Sequence, residues 1–227
     1  MAQRTAVWVT GIWLVLASAG AADAAQSGGL AAPLHAGGLS ISAGLAYSER
    51  DVQDGRDDEL ASRRALFRVQ YGLLDAVNLF ATAGFADAQF DGEAFEGSLG
   101  GDFGLGAVVE LLDFPQSAVR VVADGQVEYF RSTDGGKKLN AWTYQASVYV
   151  VKEIGAAGRV GYFYPYAGLR LSYADYDLNR GLDDYESEDV LGLFGGADYF
   201  VNPNVFFTGE LHVFDETSVY LGVGYRF

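Results

Sequence analysis

From Gly38 to Phe227 apolar residues alternate with small, polar or charged ones, with little between the runs but turns. A period of two marks a strand whose two faces differ. Few folds accept a chain built only of such strands. Its apolar face must wrap inward around a core or turn outward into lipid, and the sheet must close or stack to cover its edges.

The alternation resolves into ten strands. Leu39, Ile41, Ala43, Leu45 and Tyr47 share a face of the first, and Ala65, Phe67, Val69 and Tyr71 a face of the second. The next four place Leu79, Ala81, Ala83 and Phe85, then Phe103, Leu105, Ala107, Val109 and Leu111, then Val119, Val121, Ala123, Val127 and Tyr129, then Trp142, Tyr144, Ala146, Val148 and Val150 in the same way. Phe163, Ala167, Leu169, Leu171 and Tyr173 follow, then Leu191, Leu193, Ala197 and Tyr199, then Val205, Phe207, Leu211 and Val213. The final "SVYLGVGYRF" keeps the pattern to its last residue. Connections after strands two, four, six and eight read as short turns. Those after one, three, five and seven read as longer loops, most of them acidic. This long–short rhythm is the layout of a transmembrane barrel. The expected fold class is all-β: a transmembrane antiparallel up-and-down barrel over residues 38–227, with ten strands favoured and eight as the alternative.

The 14 tyrosines, 15 phenylalanines and 30 glycines among 227 residues suit β structure. A formal charge of −15 argues against a nucleic-acid partner, since phosphate needs a basic surface. With no cysteine, disulfides, thiolate zinc sites and a lipid-bearing cysteine are excluded. Residues 1–24 read as a signal peptide: Arg4, the apolar "AVWVTGIWLVLASAG", and Ala22-Asp23-Ala24 as a small-x-small cleavage site. A retained membrane helix is the alternative. Residues 25–37 read as a flexible segment. No later apolar run is long enough for a membrane helix, so entering a membrane requires a closed barrel.

A soluble barrel also alternates, with its apolar face inward. Three features favour lipid. The uniform apolar face carries almost no charge, while Arg64, Arg68, Asp102, Glu110, Arg120, Asp124, Glu128, Arg170 and Glu210 all fall on the other face, beside many glycines. Tyr47, Phe85, Phe103, Tyr129, Trp142 and Tyr173 lie near the loop ends of the apolar face, and Tyr71, Phe163, Tyr199, Tyr225 and Phe227 near the turn ends. Two such rows match interfacial girdles. Most strands also reach the roughly 9–11 residues needed to cross hydrocarbon at a tilt.

The turn-flanked segments "YGLLDAVNLFATAGF" and "YFVNPNVFFTGELH" and the terminal "YLGVGYRF" resemble the small outer-membrane β-barrel proteins of Gram-negative bacteria, the OmpA-like and OmpW-like monomeric barrels. The resemblance covers residues 38–227 and implies an exported, integral outer-membrane protein, monomeric, in contact with lipid and lipopolysaccharide. It also implies that Phe227, Tyr225 and Val223, with Leu221 and Val219 before them, form the signal read by the barrel-assembly machinery. The commonest small members have eight strands, where this chain reads as ten.

Inside so narrow a barrel the charges should pair, and the inward glycines should leave room for long arginines and rings. Arg64, Arg68, Asp102, Glu110, Arg120, Asp124, Glu128, Arg170, Glu210 and His212 form the expected lumen network, with Glu110 opposite Arg120 across the Pro115 turn. Barrel enzymes need a histidine beside a carboxylate or serine. Only His35 and His212 exist. His212 shares a face with Glu210 and is expected roughly opposite Tyr220, which suits a hydrogen-bonding cluster more readily than a triad. No catalytic residue and no resident cofactor is expected. Asp175, Asp177, Asn179, Asp183 and Glu186 occupy positions 1, 3, 5, 9 and 12 of an EF-hand-like loop, a possible Ca²⁺ site, but Arg180 takes the usual glycine place and no helices flank it. The leading expectation is a structural or surface-interaction barrel with a side-chain-filled lumen. A narrow passive pore is the second reading and a barrel enzyme acting on lipid or peptide the third.

Overall fold

The computed structural model describes residues 31, 34–53, 57–90, 95–155, 161–178, 183–187 and 189–227. The signal-peptide reading falls outside them. Ten long strands make the wall: β1 (Leu39–Gln53), β2 (Asp57–Leu74), β3 (Val77–Ala86), β6 (Gly100–Phe114), β7 (Val119–Asp134), β8 (Lys137–Lys152), β10 (Tyr162–Leu178), β12 (Leu191–Phe200), β13 (Val205–Val213) and β14 (Thr217–Arg226). Four short ones, β4 (Gln89–Phe90), β5 (Phe95–Glu96), β9 (Ile154–Gly155) and β11 (Asp183–Ser187), extend it. Each long strand pairs antiparallel with its neighbour in the chain. The first and last close the ring from Ser40↔Arg226 to Glu49↔Thr217. Closure satisfies the backbone of both edges, which a membrane-spanning sheet requires.

The outward faces are those the alternation assigns, including the least regular strand, where Leu191, Leu193 and Tyr199 are exposed. Leu45, Phe67, Leu79, Leu105, Val148, Leu169, Phe207, Leu211, Leu221 and Val223 form a continuous apolar belt. It is flanked by exposed Phe85, Phe103, Trp142 and Tyr173 above and Tyr71, Phe163, Tyr199, Tyr225 and Phe227 below. Water-soluble monomers do not expose apolar surface on this scale. Inward glycines make room for rings: a side chain on Gly44 would collide with the Tyr220 ring, and one on Gly224 with Phe206.

The upper connections differ from the expected long loops. Asp51–Gln53 pair with Asp57–Glu59, so most of the acidic "DVQDGRDDE" is strand. Arg131–Asp134 pair with Lys137–Asn140 across a two-residue turn, where Gly135 and Gly136 take φ +52° and +105°. Such angles suit glycine. The strands therefore overshoot the apolar belt. There the polarity of the two faces inverts: Glu49 and Asp51 point out, while Val52, Leu60, Phe130, Leu139, Tyr176 and Leu178 are buried inside. The sixth connection, expected to be short, spans 153–161 and carries β9 paired to the start of β10.

Strands β12, β13 and β14 stop at the top of the belt. Above them β11 pairs with β10 and also with β1, through Val52↔Ser187 and Gln53↔Glu186. The upper storey is thereby closed by eight segments, β1, β2, β4, β5, β7, β8, β10 and β11, with a Ser98–Thr133 bridge joining the β5 end to β7. Ten strands cross the belt and eight form the dome.

The segment expected to be flexible is tied down where it is described. Ala31 and Leu34 are buried inside the lower end of the barrel, and Ala36 N–H donates to Asp75 Oδ1 at 3.0 Å.

Candidate functional site

The inward face stacks three layers. The lowest is apolar and aromatic: Phe80, Val122, Tyr149, Tyr166, Phe194 and Phe206 around Leu34. The uppermost, inside the dome, is apolar as well, with Phe90, Phe95, Phe130, Tyr176 and Tyr185 at its centre. Charged residues fill the level between. Of the expected network, Arg64, Arg68, Asp102, Asp124, Glu128, Arg170, Glu210 and His212 are all buried there.

Two ion clusters make up this middle layer. In the first, Arg64 Nη1 lies 3.1 Å from Asp102 Oδ2 and also contacts the Glu128 carboxylate. Its guanidinium sits 4.7 Å from the Phe130 ring centroid in the layer above. Arg68 stacks the other way, 4.4 Å from the Phe80 centroid in the layer below. The two arginines thus join the charged level to both apolar ones through cation–π contacts. Asp124 accepts a hydrogen bond from the Ser147 hydroxyl, and Gln126 donates to Gln145 at 2.6 Å.

The second cluster depends on two carboxylates that the alternation does not reveal. Asp215 and Glu216 lie in the short connection between β13 and β14, yet both side chains turn into the lumen and are buried. Phe214 before them is 71% exposed and holds φ +83°, a strained angle for a residue with a side chain. That kink sends the next two residues inward. Arg170 Nε donates to Asp215 Oδ2 at 2.8 Å, and its Nη2 reaches Glu216 Oε1 at 2.8 Å. Arg50 Nη2 donates to Glu216 Oε2 and to Ser172 Oγ, each at 2.8 Å. His212 bridges Glu210 (Nε2–Oε1 2.6 Å) and Glu216 (Nδ1–Oε1 3.4 Å), and Tyr166 donates to Glu210 Oε2 at 2.8 Å. Burial opposes ionisation of Glu216, but Arg170, Arg50 and the His212 hydrogen bond outweigh it and hold that carboxyl well below the usual glutamate range. Gly192 opposes Arg170 across the β10–β12 pair, and a side chain there would collide with the Asp215 carboxylate. Arg50 is the other residue missed, because it sits where the sequence reads as loop.

Two expected pairings fail on register, and one expected loop is a hairpin. A bulge between Glu110 and Leu112 sets Glu110 opposite Val122 and Asp113 opposite Arg120. The Glu110–Arg120 ion pair is replaced by Arg120 Nη2–Glu153 Oε2 at 3.6 Å. Both Glu110 and Arg120 are only half-buried at the lower rim. His212 opposes Ser218, and it is Glu210 that opposes Tyr220. The EF-hand-like segment is a hairpin: Asp175 and Asp177 belong to β10 and Glu186 to β11, with Asp175 directly across from Glu186. Asn179 and the Asp183 side chain lie outside the described residues. Among those described, no group of three or more His, Asp or Glu side chains could hold a metal ion.

The arrangement pairs charge with charge among buried residues. A recess between Arg50, Arg64, Glu128, Gln145, Tyr176 and Glu216 holds about 10 Å³, room for one water. At the other end of the wall Val223, Tyr225 and Phe227 are exposed on the lower girdle. Phe227 N–H donates to Leu39 O at 2.9 Å, and the Tyr225 and Phe227 ring centroids lie 4.9 Å apart.

No protein-family model matches the sequence, and no curated protein matches it. Among solved structures, the translocator domain of the autotransporter NalP from Neisseria meningitidis is matched at 13% identity over 84% of this chain and 89% of that one, with a TM-score of 0.45. The outer membrane protein OprG from Pseudomonas aeruginosa is matched at 14% identity over 88% and 99%, TM-score 0.40. The outer membrane protease OmpT from Escherichia coli is matched at 11% identity over 83% and 95%, TM-score 0.42. The chain's own geometry assigns its class: a closed ring of ten antiparallel strands, apolar outside, girdled by aromatics and charged within, is a transmembrane β-barrel.

Proposed function

We propose that this is an integral outer-membrane protein of a Gram-negative envelope, closed to solutes, whose dome is a rigid surface for structural or interaction roles without catalysis. The lower rim, with the aromatic row ending in Phe227, faces the periplasm, where the barrel-assembly machinery reads that row. The dome faces outward, among lipopolysaccharide headgroups.

The observation that carries this reading is the stack of apolar, charged and apolar layers filling the lumen from rim to rim. A passive pore needs a continuous wet path, and an enzyme needs its histidine within reach of substrate. His212 is 1% exposed, sealed between the two apolar layers. Planar-bilayer recording of the refolded mature chain tests the reading. Insertions without stable openings are expected, and steady openings in most insertions would replace it with the narrow-pore alternative.

A further inference from the structure

The lower layer contains residues that belong to no strand. Leu34 is 1% exposed among the rings of the lower lumen. Ala31 N–H donates to Asp198 Oδ2 at 2.7 Å, and Asp198 is itself fully buried. The segment then leaves through the lower rim, held there by Gly37 N–H to Gly72 O (2.8 Å), Gly72 N–H to Gly38 O (2.9 Å) and Ala36 N–H to Asp75 Oδ1 (3.0 Å). Two glycines permit that path. Gly37 takes φ +84°, and any side chain on Gly72 would collide with the His35 carbonyl oxygen.

Of these contacts only Gly72 N–H to Gly38 O continues the wall's ladder, one residue past Leu39↔Tyr71. Ala31 and residues 34–37 can withdraw without unpairing β1 from β2 or β14, because the ring closes from Ser40↔Arg226 onward. What it would leave is an aromatic-lined vestibule open at the lower rim, with one buried carboxylate as acceptor. That chemistry suits an extended peptide that offers a backbone N–H to Asp198 and an aliphatic side chain to the rings, the contacts Ala31 and Leu34 make. We infer that Ala31 and residues 34–38 act as a tethered plug, exchanging with an open state in which the vestibule binds an extended apolar peptide in their place. The inference goes beyond a closed surface barrel. The charged layer and the dome lie above the vestibule, so unplugging opens a pocket and no channel, and bilayer conductance stays absent either way.

The chain has no cysteine, so Val122→Cys, whose wild-type residue shares a recess with Ala31, is a clean reporter. In the refolded full-length mature chain, a water-soluble maleimide should label this site slowly. Adding Leu34→Asp should raise the rate at least about tenfold, as for a shift near 1.4 kcal/mol in the plug equilibrium. A synthetic peptide of residues 31–38 should then restore protection in a saturable way. Gly72→Val should expose the reporter too, but the same peptide should not protect it, because the seat for the His35 carbonyl is gone. Unchanged labelling in both variants, or a peptide that fails to protect the Leu34→Asp chain, would overturn the inference. So would a Leu34→Asp chain unable to fold, since a plug is dispensable to the barrel.

Discussion

Replacing Arg170 with alanine should lower the stability of the refolded barrel by about 3–5 kcal/mol, the usual cost of stranding buried charge. Arg170 is the cation that touches both Asp215 and Glu216. Its loss leaves the two buried carboxylates to Arg50, whose Nη2 is 2.8 Å from Glu216 and 3.9 Å from Asp215, and to His212, whose Nδ1 is 3.4 Å from Glu216. After removal of residues 1–24, Trp142 is the single tryptophan, so its fluorescence follows urea unfolding directly. The same signal reports pH dependence. The folded carboxyl of Glu216 lies below its ordinary value. The stability it contributes is therefore complete above the ordinary glutamate pKa and lost as pH falls through the depressed one. Glu216→Gln should flatten that acid limb. An Arg170→Ala barrel as stable as wild type, or an acid limb unchanged in Glu216→Gln, would show that the cluster contributes nothing to holding the connection inward.

The second large effect is expected on the opposite face. Leu105 is 63% exposed at the middle of β6. An arginine there should destabilise the bilayer-inserted barrel by about 2–4 kcal/mol, the range for a cation on the lipid face near the midplane. Folded yield in lipid vesicles, read from the heat-dependent gel shift of intact barrels, should fall accordingly. Leu105→Arg with unchanged yield would mean that this face meets water.

Both expectations rest on a division of faces that the sequence displays plainly. An outward residue needs only to match lipid, so each strand's alternation states its own face without reference to its neighbours. Ser40 to Tyr47, Arg64 to Tyr71 and Leu191 to Tyr199 are legible in that way. The dome is not, because the rule reverses there. Above the belt, water replaces lipid outside, so Glu49 and Asp51 turn out and Val52 turns in; read with the belt's rule, the same residues look like an acidic loop. The charged layer was visible one partner at a time. Arg170, Glu210 and His212 lie in clean strand pattern. Asp215 and Glu216 sit in a connection, where inward direction comes from the Phe214 kink and not from period. An arginine facing the lumen does require a carboxylate somewhere, and that need is the one signal that could have found them. Register across turns is the least legible of all: the single bulge at Glu110–Leu112 is enough to trade the expected Arg120 partner for Glu153. The buried segment at Leu34 leaves no trace in composition, since "AAPLHAGG" has the residues of a linker.

The central claim is that within the belt one face of each of the ten long strands meets lipid and the other meets a lumen without a continuous water path. Spin labels on single cysteines along β8, at positions 143 to 148 in turn, test it in one series. Labels replacing Tyr144, Ala146 and Val148, which point outward, should collide with dissolved oxygen and not with a water-soluble nickel chelate. Labels replacing Thr143, Gln145 and Ser147, which are buried within, should collide with neither. Nickel access at the inward positions would mean a wet pore, and nickel access at the outward ones would mean a barrel that does not sit in a membrane.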